Sequence, residues 1–328
     1  MARLKILLTG DVMLGRTVNR VLKLDNFSWV WGNTIKIFHE ADLRLINLEC
    51  VISSKGTPDP RSYFHFRSNP VAIEVLKKAK IDFASIANNH VLDFGEEALL
   101  EMLELLRKNK IAFSGAGENI DKACEPAILE KNDVKIAIFA LSDHPPWWEA
   151  LENRPGINFI PLNLEEKYLE RIKKIIKNIR EKVDFIIASC HVGPHYRSKP
   201  SKEFVNFAHT LLELGVDIYW GHSNHIPQGI EVLNNKVIIY DSGDFVDDYA
   251  VDKFEFFSND QSFIFLLNLE RKKIISLELV PVKIDSYKMQ VNLAENIEKK
   301  IILENMKKLC EDLETKVRIR DEKIFILL

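Results

Sequence analysis

Short apolar runs rich in β-branched residues alternate with amphipathic segments over the first two-thirds of the chain. "LKILLTG" (4–10), "LRLINL" (43–48), "IDFASIA" (81–87), "KIAIFAL" (135–141), "VDFIIASC" (183–190) and "VDIYWG" (216–221) have the length and composition of buried strands. Helical periodicity fills the gaps. "EEALLEMLELLRKNK" (96–110) repeats leucine on one face, and "LEEKYLERIKKIIKNIREKV" (164–183) follows Asn163, with Glu166 placed for a capping box. "KEFVNFAHTLLELG" (202–215) closes on Gly215, as a helix C-terminus should. This alternation predicts an α/β fold with mostly parallel strands.

After Gly221 the texture changes. "GIEVLNNKVIIYDSGDF" reads as a hairpin turning at Asn234-Asn235, and "SFIFLLNLE" with "KIISLELVPVKI" reads as a second. A run of hairpins following an α/β half predicts a second sheet packed on the first, a sandwich flanked by helices. Residues 292–328 read as a charged helix capped by Asn292 and Glu295, then a short strand "KIFILL". Apolar positions 293, 297, 301, 309, 313 and 317 predict one buried stripe on that segment. The expected division is a main domain over 1–285 and a helix–strand appendix over 286–328, packed on the same domain.

Composition narrows the partners. The chain has 328 residues, 46% hydrophobic and 28% charged, enough for one large or two modest domains with a well-buried core. Forty-five basic residues face 48 acidic ones, for a net charge of −3 with the signs interspersed, so no nucleic-acid partner is expected. Cys50, Cys124, Cys190 and Cys310 have no metal-ribbon spacing and read as free thiols of a reducing, cytoplasmic compartment. No apolar run reaches the roughly 18 residues of a membrane helix, so no membrane insertion is expected.

The chemistry lies at the strand ends, where open α/β sheets bind ligands. "TGDVMLGR" places Asp11 after the first strand, "NLE" places Asn47 and Glu49 after the second, and "ANNH" places Asn88, Asn89 and His90 after the third. "SCHVGPHYR" adds His191 and His195; "GHSNH" adds His222 and His225; "YDSGDF" offers Asp241 and Asp244. Carboxylate, amide and imidazole are the donors of a divalent cation such as Mn²⁺, Fe²⁺ or Zn²⁺. Each alone has an ordinary structural use, Asp11 as a helix cap or Asn88 as a turn residue; their convergence on one edge points to a site for one or two metal ions. Side chains alternate across a strand, so Cys50 and Cys190, adjacent to ligand-type residues, are expected to face the core. His39 and His209 fall inside helical patterns and read as structural, whereas His65 and His144 fall in loops with no role assigned.

In this order, "GDVMLGR", "NLE", "ANNHVLDFG", "SGAGEN", "HVG", "GHSNHIPQGIE" and "IIYDSGDF" resemble the CapA family of capsule and poly-γ-glutamate synthesis proteins, a branch of the calcineurin-like metallophosphoesterases. The resemblance covers about residues 4–245 and implies a four-layer α/β/β/α sandwich with a metal centre at the sheet rim. It assigns Asp11, Glu49, Asn89, His191, His222 and His225 as metal ligands. It makes His90 the acid that protonates the leaving group and Asp93 the carboxylate that orients it. Metallophosphoesterases usually begin Asp-x-His, whereas Val12 and Met13 follow Asp11 here. Ser223 replaces a further histidine common in CapA proteins, His195 replaces a common acid, and the usual "GNF" is "GDF", with Asp244.

Arg61 and Arg67, in the loop "KGTPDPRSYFHFRS" (55–68), together with Arg16, Arg197 and His195, are the expected contacts for a small or polyanionic substrate. "SDHPPWWEA" (142–150) sets Trp147 and Trp148 in a loop, either as a hydrophobic plug or as a stacking surface. The leading functional expectation is a metal-dependent phosphate-ester hydrolase. A component of polyglutamate or capsule synthesis is the alternative, and a non-catalytic metal- or anion-binding protein is the third.

Overall fold

The computed structural model describes residues 3–22, 26–250 and 252–328. Two sheets lie face to face. The larger has ten strands, with Val317–Arg320, Lys323–Ile326, Lys273–Asp285, Gln261–Glu270, Arg3–Val12, Leu43–Leu48, Phe83–Ser85 and Ala112–Ser114 as consecutive neighbours. Asp244–Val246 pairs in addition with the first strand, and Gln290–Leu293 with Lys273–Asp285. The smaller runs Ile230–Leu233, Lys236–Ile239, Ile218–His222, Phe185–His191, Val134–Ser142 and Ala127–Lys131. The strands expected from sequence are all present, with ends shifted by a few residues.

The division between the sheets differs from the sequence expectation. The late hairpins do not make a sheet of their own. Ile230–Leu233 and Lys236–Ile239 extend the smaller sheet, and Gln261–Glu270 with Lys273–Asp285 extends the larger. Each sheet is thus a parallel half completed by an antiparallel hairpin. Both parallel halves end as edges with unpaired backbone groups, and a hairpin pairing there satisfies them.

Alternation along the strands sorts the residues between two cores. Leu4, Ile6 and Leu8 of the first strand face Ile136, Ile187 and Trp220 of the other sheet in the inter-sheet layer. The opposite faces, through Leu7, Ile46, Phe139 and Ala188, pack under Leu76, Leu99, Ile172 and Phe207 of the helices Ala72–Lys78, Gly95–Lys108, Glu166–Ile179 and Lys202–Glu213. The result is the α/β/β/α sandwich.

The segment after residue 285 is built into this frame. Gln290–Leu293 and Lys323–Ile326 both pair with Lys273–Asp285, and the Asn296–Glu311 helix lays Ile302, Met306, Leu309 and Cys310 on the inter-sheet core. The predicted stripe holds only in part: Leu309 is buried, whereas Ile297 and Ile301 are exposed. Asn292 lies in a strand, where its Oδ1 accepts from Asn33 N, so it caps no helix. Asn163 likewise caps nothing; the 166–179 helix begins at Glu165 without a side-chain cap. Ser201 does cap the next helix, accepting from Phe204 N. No described helix is long and apolar enough to cross a membrane.

Two backbone features near the rim position the strand ends. Leu8 pairs with Leu45 but Asp11 pairs with Asn47, so the first strand spends three residues where its neighbour spends two. This bulge reverses the alternation and turns Asp11, rather than Val12, toward the other sheet. Beside it, a Cβ on Gly10 would lie 1.9 Å from Gly243 O, so only glycine allows the two backbones to meet. Replacing Gly10 with alanine is expected to cost about 3 kcal/mol or more in urea unfolding. Gly95→Ala, at φ +79° but in open space, is expected to cost about 1–2 kcal/mol.

Candidate metal centre

Strand register gathers the polar strand ends. In the larger sheet Asp244, Asp11, Asn47 and Ser85 fall on one line of paired residues. In the smaller, Ser142, His191 and His222 do the same. Acids and amides from one sheet thus confront imidazoles from the other. His222 Nδ1 lies 3.1 Å from Asp11 Oδ1, and His191 Nε2 lies 3.9 Å from Glu49 Oε1, all of them buried. Just beneath, Ser189 Oγ donates to Ser85 Oγ (2.8 Å) and Trp220 Nε1 to Thr9 O (3.1 Å), pinning sheet to sheet.

His225 arrives from the following loop. Ser223 and His225 have φ of +97° and +65°, unusual for residues with a side chain. Asp241 holds the loop, accepting from Asn224 N and Gly243 N. His225 Nδ1 then donates to Asp244 Oδ1 at 2.9 Å. Asp11, Glu49, His225 and Asp244 offer ligand atoms all within 4.8 Å of one another. Asp244 therefore belongs to the cluster. Asn47 is a tie instead: its Nδ2 lies 2.8 Å from Asp11 Oδ1 and 3.3 Å from His191 Nδ1, one residue from each sheet.

The fit to a cation rests on unpartnered atoms. Asp11 Oδ2, Glu49 Oε1, Asn89 Oδ1, His191 Nε2, both ring nitrogens of His222 and Asp244 Oδ2 are buried without a hydrogen bond. Each such atom costs about 1–3 kcal/mol in an interior, and their clustering in one place is what the donor set of a divalent cation requires. Oxygen with imidazole suits Mn²⁺, Fe²⁺ or Zn²⁺.

Electrostatics agree. Burial, then the charges of Asp11, Asp244 and Asp247, pushes Glu49 well above the usual carboxylate range. Burial and the charges of Asp247, Asp11 and Asp241 do the same to Asp244, and burial raises Asp247 to about 7. For Asp11, burial is outweighed by His222 beside it, and its carboxyl falls below the usual value. Burial and the surrounding imidazoles hold His191 well below the ordinary histidine range, leaving it neutral, as a ligand must be.

Next to the cluster, His90 Nδ1 donates to Asp93 Oδ2 (2.6 Å), which also accepts from Phe66 N (2.7 Å). Phe66 stacks on the imidazole at 3.8 Å between ring centres. Asn88 serves the turn, its Oδ1 accepting from His90 N and its Nδ2 donating to Leu48 O. A cavity of about 830 Å³ opens here, lined by Asn89, His90, His195 and His225 on the side of the cluster and by Arg16 and Arg61 farther out. Arg67 and Arg197 do not line it. The Arg67 guanidinium sits 4.0 Å from the Phe94 ring centre, and Arg197 contributes its backbone, with N and O bonded to Asn224. Met13, at the position of the absent Asp-x-His histidine, turns into the outer core, where its Sδ accepts from Gly15 N. Cys50 and Cys190 also face that core, and burial raises the Cys50 thiol to about 12.

Two groups at the centre escaped the sequence reading. His144, held by Asp143, lines the cavity with its Nε2 buried and unpartnered, its ring 5.3 Å from that of His191. The signal was available: "SDH" ends the strand 134–142, and the strand-end rule applies to it as to the others. Asp247 was hidden because Asp244–Val246 pairs parallel with the first strand, a long-range contact that local pattern does not encode.

The family model of the bacterial capsule synthesis protein PGA_cap matches residues 5–249. The chain belongs to this family. It is 29% identical over 293 residues to a probable polyglutamine synthesis accessory protein of Mycobacterium tuberculosis, covering 86% of this chain and 77% of that one. To the PGA biosynthesis protein CapA of Bacillus subtilis it is 28% identical over 242 residues, 73% of this chain and 62% of the relative. Among solved structures, a hypothetical protein from Thermus thermophilus shares the fold, with a TM-score of 0.50 at 15% identity over 85% of this chain and 99% of that one. The PGA_cap match spans every strand end that carries a cluster residue.

A pH test follows from the charge balance. Glu49, Asp244 and Asp247 bind protons more tightly folded than unfolded, so chelator-treated protein should lose stability as pH rises from about 4 through their raised folded values. Mn²⁺ at one hundred times its dissociation constant should restore about 2.7 kcal/mol, with a larger rise in melting temperature at pH 8 than at pH 6. Asp244→Asn should raise the melting temperature of the chelated protein and shrink the Mn²⁺ increment.

Proposed function

We propose that this PGA_cap protein is a metal-dependent hydrolase of phosphate esters. The observation that carries the reading is the buried cluster of Asp11, Glu49, His225 and Asp244, of which His225 lines an open cavity together with His90, the partner of Asp93. A divalent cation held there, with Asn89, His191 and His222 completing the donors, supplies the Lewis acidity that polarises a phosphoryl group and makes water nucleophilic near neutral pH.

The chain's own groups do the rest. Asp93 fixes the His90 ring with Nδ1–H toward the carboxylate, so Nε2 faces the cavity and carries the proton delivered to the departing alcohol oxygen. Phe66 covers one face of that ring, which prevents it from rotating and keeps water off it. Arg16 lines the same cavity, and although Asp248 pairs with its Nε at 3.4 Å, its other guanidinium N–H groups can donate to a phosphate. The four free cysteines support a reducing, cytoplasmic setting for this activity.

A second reading, a part in polyglutamate synthesis, comes from the names of the relatives; incubation with poly-γ-glutamate and analysis of chain length would reveal it.

Metal analysis and phosphatase assay test the first reading together. His191→Ala and His222→Ala should lose bound Mn²⁺ and activity. His90→Ala and Asp93→Asn should keep the metal while kcat falls about 10²–10⁴-fold. Full activity in His90→Ala, or in metal-stripped protein, would refute the assignment.

A further inference from the structure

Exposed aromatic side chains are unevenly placed on this molecule. Among the described residues six aromatics are strongly exposed, and four of them, Tyr63, Phe64, Trp147 and Tyr196, line the cavity beside the metal centre. Tyr63 is 97% exposed and Phe64 66%. Placing such side chains in water at one spot is unfavourable unless something flat covers them. Phe66 and Tyr249, parallel at 5.8 Å, continue the aromatic wall inward to His90.

The wall is braced. Asp59 accepts from Arg61 Nε (2.9 Å) and from Trp148 Nε1 (3.1 Å), and its own N–H donates to Asp93 O (2.8 Å). The 55–68 loop and the 146–148 turn are thereby locked to each other and to the partner of His90. Arg61 lies 5.6 Å from the Trp147 ring centre, and Tyr196 stacks on Phe254 at 4.8 Å. The bracing fixes the backbone that carries Tyr63, Phe64 and Trp147, which lowers the ordering cost of binding a rigid ring there.

The charges on the wall exclude a long polyanion. Arg16 and Arg61 are each paired already, with Asp248 at 3.4 Å and Asp59 at 2.7 Å, and Asp252 adds a carboxylate to the lining. Among the described residues that line the cavity, no row of free cations is present to follow a chain of carboxylates.

We infer that the substrate is a phosphate monoester of an alcohol bearing a planar aromatic ring, of the nucleoside type, with the phosphate at the metal cluster and the ring against Tyr63, Phe64 and Trp147. This inference takes the hydrolase reading as its basis for the phosphate end; the ring site stands on the aromatic wall alone. The cavity of about 830 Å³ is of the size that encloses such a molecule.

Adenosine 5′-monophosphate and ribose 5-phosphate test it, since both release a primary alcohol and differ only in the ring. With Mn²⁺-loaded protein, kcat/KM should be at least tenfold higher for the nucleotide, and the ratio should fall to near one in Trp147→Ala and in Tyr63→Ala. Melting curves check that both variants fold. Calorimetric titration of the two compounds into the protein supplies a readout independent of turnover. Equal kcat/KM for the two would overturn the ring site while leaving the hydrolase reading intact. Binding of the nucleotide alone, lost in Trp147→Ala but without hydrolysis, would support the ring site and refute the hydrolase reading. Neither binding nor turnover of either compound would overturn the inference.

Discussion

Asp11, Glu49, Asp244 and Asp247 stand together at the dry end of a two-sheet core, and this concentration of like charge is the constraint on which the rest depends. Without compensation, Glu49, Asp244 and Asp247 hold their protons more tightly than free carboxyls do, and their ionisation weakens the fold. The facing imidazoles of His191 and His225, held below the ordinary histidine range, supply dipoles and lone pairs but little charge. A cation held there would satisfy the acids and the imidazoles together. The unpartnered atoms and the raised carboxyl values have the same origin.

The centre is assembled by register. Parallel strands bring their C-terminal ends to one edge, so a residue placed at the end of each strand is carried to the same place. The bulge in the first strand supplies the necessary exception, turning Asp11 across to meet His222. Close backbone contact at Gly10 and Gly243, together with the strained Ser223–His225 turn, brings in the remaining ligands from loops. Ser223 and His225 are two of the residues with a side chain and positive φ, and here the strained turn serves the site.

The cavity wall has a different logic from its floor. The floor is polar and buried and comes from strand ends. The wall is aromatic: Tyr63, Phe64 and Trp147 come from two segments that Asp59 ties together, and Tyr196 and Tyr249 from elsewhere in the chain. Through its N–H on Asp93 O, Asp59 also couples the wall to the residue that orients His90. The aromatic wall and the His90–Asp93 pair thus share one support.

Much of this was legible in the linear chain. Strand and helix positions, the α/β class and the polar strand ends are local properties: period-two and period-3.6 apolar patterns are written in neighbouring residues, and so are "NLE", "ANNH" and "GHSNH". The ordered motifs sufficed for the family. Other properties belong only to the folded chain. That the hairpins divide between two sheets, that the last helix buries Ile302 and Met306 rather than Ile297 and Ile301, and that Asn163 and Asn292 cap nothing are decided by which edges lie unpaired and which core lies uncovered. Asp244 joins the centre because its strand pairs with a first strand more than 200 residues away, while Arg67 and Arg197, plausible by motif, leave the cavity because Phe94 and Asn224 engage them. Sequence determined which side chains stand at the strand ends; tertiary structure alone decided which of them meet, because register, bulges and loop ties act between residues far apart in the chain.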